Sequence, residues 1–362
     1  MKSELGVGLI GAGLIGTMHS FALRTVIEHL NLPIRLVAVA DEDRDRADRF
    51  RDQFGYARAT RDAEELIADT SVDAVYVCTW TSAHQHLVLA AAAAKKHVFC
   101  EKPLAFTAEE AASMQEAVVR AGVTHQVGLV LRQGPIWNAL REEAQRPDLG
   151  FPITFVFRDD QCFPIKGAHP STWRRDCTRA GHGTLIEHSI HDLDLVEWIF
   201  GPVDAVRAST YCHYGFHQIE DMARVELNLR SGMSGILLSV WHDVLNRHSN
   251  RRLEVFHERV FHALETEFTG PLTVMEGEDP AERVIPEDEI NRRFWRLRGI
   301  EDPALRKFST LFGVYGDYLF CRGALEGKQL GPGFEVAVRA HELVDACYQS
   351  AETGEWVRTA RK

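Results

Sequence analysis

A histidine four residues after a glutamate, and a lysine set between a glutamate and a proline, are the groups in this chain best suited to proton chemistry. Glu187 and His191 fall in a segment whose pattern predicts one helix over residues 184–200. Residues four apart share a helix face, so the carboxylate can touch the imidazole. Such a neighbour orients the ring and raises its proton affinity, which suits an acceptor working near neutral pH. Lys102 stands in Cys100-Glu101-Lys102-Pro103, directly after the short apolar run 97–99. An ammonium there can steady a developing alkoxide. Most lysines are merely solvated. Lys102 has a function only if its strand belongs to a ligand-binding sheet.

The amino-terminal third supplies such a sheet. An apolar run over 5–10 leads into Gly11-Ala12-Gly13-Leu14-Ile15-Gly16, and helical spacing follows to about Leu30. This is strand, glycine turn, helix. Gly11 permits the tight turn, Gly13 lets a pyrophosphate approach the backbone, and Gly16 lets helix and strand pack closely. The amide groups of the helix start, with Leu14 and Ile15, face the phosphates. The next strand, 34–40, ends in Asp41, where an acid accepts hydrogen bonds from the adenosine ribose and repels the extra phosphate of NADP. NAD is therefore the expected cofactor. Arg44 lies near enough to soften the preference and leaves NADP open, and Asp41 can also cap the helix beginning near Asp43.

The strand–helix rhythm continues. Helices are expected over 42–54, 62–68, 84–96 and 108–121, and strands over 72–78, 97–100 and 123–131. The loop Thr79-Trp80-Thr81-Ser82-Ala83-His84 leaves the sheet at the same edge as the glycine turn. Thr79 and Trp80 can flank a nicotinamide, although Trp80 equally suits a half-buried loop aromatic. His84 reads as a helix-start residue on the cofactor side.

Two domains are expected from 362 residues, 1–132 and 133–362. A net charge of −11 argues against nucleic acid and against anionic membrane surfaces. No apolar run approaches the roughly 20 residues of a membrane span. The first residues run straight into a strand, so no signal peptide is expected. Seven scattered cysteines without CxxC spacing read as reduced thiols of a cytoplasmic protein.

The glycine turn, Asp41, Thr79 through His84 and Glu101-Lys102-Pro103 are joined by Arg132-x-x-Pro135, Trp173-Arg174 and the run from Gly183 through Glu187 and His191 to Asp194. Together these resemble the glucose–fructose oxidoreductase/inositol dehydrogenase (Gfo/Idh/MocA) family over nearly the whole length. The resemblance implies a Rossmann domain followed by an α/β domain whose largely antiparallel open sheet carries substrate contacts and often a subunit interface. It implies a nicotinamide cofactor and a sugar or polyol substrate. It implies that His191 is the proton-transfer residue and that Arg132, Trp173 and Arg174 lie toward the cofactor with Glu101 and Lys102. Glu187 stands where the family usually has aspartate, one methylene shorter.

Within the second domain the expected elements are a linking helix over 135–146, strands over 152–157, 203–211, 221–229, 235–241 and 252–256, a surface excursion over 276–298 with Pro280 and Pro286, and a closing helix over 334–349 that packs back toward the first domain. His188 and Arg174 are candidates for the sugar pocket. His182, His188 and His191 lack HExxH spacing and a completing ligand, so no metal is expected. Arg292, Arg293, Arg296 and Arg298 around Trp295 read as a solvated face or an intersubunit patch.

The chemistry expected is hydride transfer between NAD and a secondary alcohol of a sugar, polyol or inositol, with Lys102 and His191 on one oxygen, Glu187 orienting, and the site between the domains. The expected assembly is a homodimer or homotetramer through the second domain's sheet. Two alternatives remain: a redox-neutral glycoside-cleaving enzyme that keeps NAD bound, and a non-catalytic NAD-binding sensor. A sensor needs neither Lys102 nor His191.

Overall fold

The computed structural model describes residues 4–166, 171–244, 246–277 and 281–359. The chain forms two compact units, Met1–Val130 with Asp302–Val338, and Leu131–Glu301 with Arg339–Lys362.

In the first unit β1 (Leu5–Ile10), α1 (Leu14–Leu30), β2 (Ile34–Ala40), α2 (Arg44–Phe54), β3 (Arg58–Thr60), α3 (Ala63–Ala68), β4 (Ala74–Val77), α4 (His84–Ala93), β5 (His97–Cys100), α5 (Ala108–Ala121) and β6 (His125–Val127) alternate. The six strands form one parallel sheet in the order β3-β2-β1-β4-β5-β6. Strand order reverses beside β1, so ligands belong at the carboxyl ends of β1 and β4. β1 and β4 are buried along their whole length, as a sheet covered on both faces requires. β3 is a three-residue edge strand, too short for its pattern to be read. The expected strand 123–131 narrows to β6, followed by a 3₁₀ turn at Val130–Gln133.

The second unit opens with α6 (Pro135–Ala144), β7 (Pro152–Cys162), α7 (Cys177–Ala180), α8 (Thr184–Glu187) and α9 (Ile190–Phe200). Then follow β8 (Val203–Tyr211), β9 (Met222–Leu229), β10 (Ser234–His242), β11 (Asn250–His257), β12 (Val260–Glu265), β13 (Leu272–Glu276), β14 (Arg283–Ile285) and α10 (Glu287–Arg298). With a last short strand, Val357–Arg358, beside β8, these form a nine-stranded sheet ordered β14-β13-β12-β11-β7-β10-β9-β8. Every pair is antiparallel except β7 with β10. Alternation sends Phe155, Phe157, Leu237 and Val255 inward. Trp137 of α6 and Phe200 of α9 cover that face, their rings 5.8 Å from Phe157 and 5.5 Å from Phe155. The other face exposes Val156, Ile236 and Phe256.

Three expectations are corrected. The helix expected over 184–200 is two, α8 and α9, broken at His188 and Ser189. The break lets both side chains reach the fully buried Asp159: Ser189 Oγ lies 2.9 Å and His188 Nδ1 2.7 Å from its Oδ2. A buried carboxylate demands such partners, and that demand outweighs helix continuity. The excursion expected over 276–298 instead contains β14 and α10, with Ile290 and Phe294 fully buried; Pro280 lies outside the described residues.

Finally, residues 302–338 belong to the first unit, not the second. α11 (Pro303–Ser309) and α12 (Val314–Glu326) pack there. Phe320 of α12 stands edge-on to Tyr76 and Phe99 at 5.3 and 5.6 Å, within a core that also holds Val314 and Cys321. α13 (Phe334–Thr353) starts in the first unit, where Phe334, Ala337 and Val338 join the core around β5 and β6. Among the described residues no helix is long and apolar enough to cross a membrane.

Candidate active site

The carboxyl ends of β1, β2, β4 and β5 gather the first unit's candidates on one sheet edge. Gly11 has φ 102, and a Cβ there would stand 2.5 Å from the Cys78 carbonyl oxygen. A Cβ on Gly16 would stand 2.2 Å from the Gly11 carbonyl oxygen, so neither position admits a side chain. Gly13 faces open space and no side chain caps the α1 start that follows it. Leu14 is exposed and Ile15 half-buried beside it. An open cradle at a helix amino terminus fits a pyrophosphate.

Asp41 supports this turn directly. Its Oδ2 accepts from Ala12 N–H at 2.9 Å, and its Oδ1 accepts from Asp43 N–H at 2.9 Å and from Arg46 Nε at 3.0 Å. The arginine beside the ribose position is therefore Arg46. Arg44, the residue picked out from the sequence, pairs instead with Asp48 at 2.7 Å. Asp43 caps α2 by accepting from Arg46 N–H. The open Gly13 and the Asp41 carboxylate fit NAD.

Thr79 and Trp80 lie half-buried after β4, before a 3₁₀ turn at Thr81–Ala83. His84 is buried, with Nδ1 2.9 Å from the Pro103 carbonyl oxygen and Nε2 3.2 Å from that of Thr79. Its ring thus ties the β4 loop to the β5 loop. In the β5 loop the Lys102–Pro103 peptide is cis. Glu101 is buried, and its Oε2 accepts from Lys102 N–H at 3.2 Å. Its Oε1 lies 3.0 Å from His19 Nε2. Burial alone would raise the Glu101 carboxyl, but His19 more than offsets it and holds it below the ordinary glutamate value.

In the second unit the Glu187 carboxylate, almost fully buried, accepts from Arg174 Nε at 2.9 Å. The Arg174 guanidinium lies 4.5 Å from the Trp173 ring centroid, a cation–π geometry. These three candidates form one cluster. His191 opens α9, buried, its N–H donating to the His188 carbonyl oxygen at 3.3 Å. Because α8 and α9 are separate helices, the i,i+4 face shared by Glu187 and His191 does not exist. Arg132 makes a two-pronged pair with Asp194 at 2.8 and 2.7 Å, which gives that buried aspartate its partner.

Beneath this surface lie groups the sequence did not reveal. Glu220 accepts from Gly183 N–H at 2.7 Å, Leu185 N–H at 2.9 Å and Tyr348 Oη at 3.0 Å. It caps α8 from a distant loop, and burial pushes its carboxyl up to about 7. Arg251, fully buried, donates Nε to Asp192 at 2.6 Å and also meets Asp159, Glu267 and His188. Burial pushes Asp192 up to about 7 despite Arg251. These pairings span 16 to 128 positions of chain, so no local motif signals them.

The chain matches two family models: the Gfo/Idh/MocA oxidoreductase family with an NAD-binding Rossmann fold over residues 5–129, and the Gfo/Idh/MocA C-terminal domain over residues 137–259. It is 32% identical over 279 residues to a protein from Thermotoga maritima named myo-inositol 2-dehydrogenase, covering 75% of this chain and 79% of that one. It is 37% identical over 197 residues to an inositol 2-dehydrogenase from Acidothermus cellulolyticus, covering 54% of this chain and 53% of that one. Its fold superposes on levoglucosan dehydrogenase in complex with NADH and levoglucosan with a TM-score of 0.84, at 22% identity over 99% of this chain and 100% of that one.

Proposed function

The chain belongs to the Gfo/Idh/MocA family of NAD-binding oxidoreductases, and from that membership we propose that it transfers a hydride between NAD and a secondary hydroxyl or ketone of a sugar, polyol or inositol. The observation that carries this reading is Glu101-Lys102-Pro103 at the carboxyl end of β5, on the sheet edge that holds the glycine turn and Asp41. Relatives named as inositol dehydrogenases support the substrate class.

NAD, when bound, supplies the hydride chemistry. His191 accepts the proton of the substrate hydroxyl at a ring nitrogen. Lys102 donates a hydrogen bond to the same oxygen and stabilises its developing negative charge. Arg174, held by Glu187 and stacked on Trp173, binds neighbouring hydroxyls. Glu187 acts through Arg174. Asp41 receives the adenosine ribose.

A panel of sugars, polyols and cyclitols, offered with NAD and separately with NADP, tests this through the absorbance of the reduced nicotinamide. NAD-dependent signal with at least one cyclitol or sugar, lost in His191→Ala, is expected. No signal with any member of the panel would sink the proposal.

The open face of the nine-stranded sheet is the contact we assign to a homodimer or homotetramer. It sets the exposed side chains of Val156 and Ile236 opposite one another, with exposed Phe256 on the same face, and apolar groups of this kind form the core of an interface, with Glu226 and Glu254 beside them. Light scattering on Ile236→Glu should show a smaller particle than the parent; an unchanged mass would remove this face from consideration.

A further inference from the structure

His19 lies on α1, three residues past Gly16, and its ring is buried between two carboxylates. Nδ1 stands 2.9 and 3.0 Å from the two oxygens of Asp317 on α12. Nε2 stands 3.0 Å from Glu101 Oε1. Phe99 meets the ring edge-on at 4.7 Å and Tyr76 lies 5.3 Å away. Glu101 is also confined by Gly128, where a Cβ would come 2.2 Å from Oε1. Its second oxygen holds the Lys102 amide. The glycine-turn helix, the β5 loop and α12 are thus pinned through one imidazole.

We propose that His19 is a positioning residue for Lys102: as an imidazolium it keeps Glu101 ionised and fixed, and Glu101 fixes the backbone and sustains the positive charge of Lys102. The proposal rests on the assignment of Lys102 to the reacting oxygen. Two bare carboxylates in this pocket would face a desolvation cost that neither could meet without a proton. The cation between them removes it. Among the described residues, Tyr76 from β4, Glu101 after β5 and Asp317 from α12 meet His19, and around those two carboxylates lie Cys78, Cys100, Lys102, Cys321 and Tyr56. Burial raises both tyrosines and all three thiols, so they remain neutral. Burial would lower His19, but Asp317 and Glu101 more than offset it and lift it to about 10. Burial raises the Asp317 carboxyl and His19 is the cation that opposes this, while Glu101, despite its burial, is held below the ordinary glutamate value by His19 and Lys102. Removing His19 leaves Glu101 to bind a proton, and Lys102 loses the anion beside it.

The test follows the titration of Lys102 itself by NMR after ¹³C reductive methylation, its signal being the one absent from Lys102→Arg. His19→Asn should lower the Lys102 midpoint by roughly one to three pH units, the effect of losing an adjacent opposite charge. Glu101→Gln, which leaves the His19 cation in place, should lower it at least as far, and adding His19→Asn to it should lower it no further, because the same carboxylate is already neutral. Gly128→Ala, which displaces the carboxylate and leaves His19 intact, should shift it in the same direction, and His19→Gln, an uncharged amide of similar reach that should also lower the midpoint, decides the matter if His19→Asn does not fold. A Lys102 midpoint unmoved in His19→Asn, or in Gly128→Ala, or additive shifts in the double variant, would overturn the proposal whatever the thermal stability. Turnover of Lys102→Ala is measured alongside. Full activity there removes Lys102 from the reaction but leaves the NMR result to decide the role of His19.

Discussion

The Asp41 carboxylate is shared between the glycine turn and Arg46: one oxygen accepts Ala12 N–H at 2.9 Å, the other accepts Arg46 Nε at 3.0 Å. An acid at this position favours the free ribose hydroxyls of NAD, and a nearby arginine is what a ribose phosphate would recruit. Both instruments are present, and Asp41 holds Arg46 in check. Asp41→Asn keeps an acceptor for Ala12 while removing the charge. It should raise the ratio of kcat/KM for NADP over NAD by roughly 10- to 100-fold, the worth of one charge-assisted hydrogen bond gained or one repulsion lost. Adding Arg46→Ala should cancel the gain. An unchanged ratio in Asp41→Asn would show that the discriminating group lies elsewhere.

Lys102 and His191 are assigned to one oxygen, so each should act on turnover rather than on cofactor binding. Lys102→Ala and His191→Ala should each lower kcat by roughly 10²- to 10⁴-fold, with the dissociation constant of NADH, read by fluorescence titration, little altered. The stoichiometry separates the redox-neutral alternative. A dehydrogenase forms one NADH per substrate oxidised, whereas a redox-neutral enzyme consumes substrate with none accumulating.

Much of the first unit was legible because its signals are local. β1, β2 and β5 fall where apolar runs end at a glycine turn, an acid and a Glu-Lys-Pro. Such a run needs no distant partner to be recognised. The long-range features were not legible. Nothing in the composition of 302–338 says that Phe320 packs on Tyr76 and Phe99. The break between α8 and α9 is set by Asp159 on β7, about 30 residues earlier. His19 has no motif at all. Its sole mark is a histidine on the buried face of an apolar helix, and its partner Asp317 is 298 positions away.

Arg174 and Glu187 illustrate how a residue pair can replace a helix-face relationship. Their ion pair is buried on the Glu187 side and about a quarter exposed on the Arg174 side. Glu187→Ala leaves an arginine without its anchor, and Arg174→Ala leaves a buried carboxylate without its cation. The second change should be the more destabilising, since uncompensated burial of a charge is the larger cost. In kcat/KM the two should be strongly non-additive, with a coupling on the order of 1–3 kcal/mol in a double-mutant cycle. Additive losses would mean that Glu187 acts on substrate or on His191 independently of Arg174.

Glu220 makes stability depend on pH in an unusual direction. Its carboxyl lies near 7 in the folded chain, raised by burial from the ordinary 4.5. Between those values the native state binds more protons than the unfolded state, so stability falls as pH rises through this window and levels off above it. The term is on the order of 3 kcal/mol at most, and Asp192, raised by burial to about 7, adds in the same sense. Glu220→Gln removes the titration but also sets an amide NH₂ against one of the two N–H groups, Gly183 or Leu185, that Glu220 now accepts. That mismatch costs about 1–3 kcal/mol. The variant should therefore melt below the parent near pH 5, and the gap should narrow toward pH 8 as the parent deprotonates. Thermal unfolding by circular dichroism across this range measures it. A gap that stayed constant from pH 5 to pH 8 would mean that the three donated hydrogen bonds outweigh burial and keep Glu220 ionised throughout.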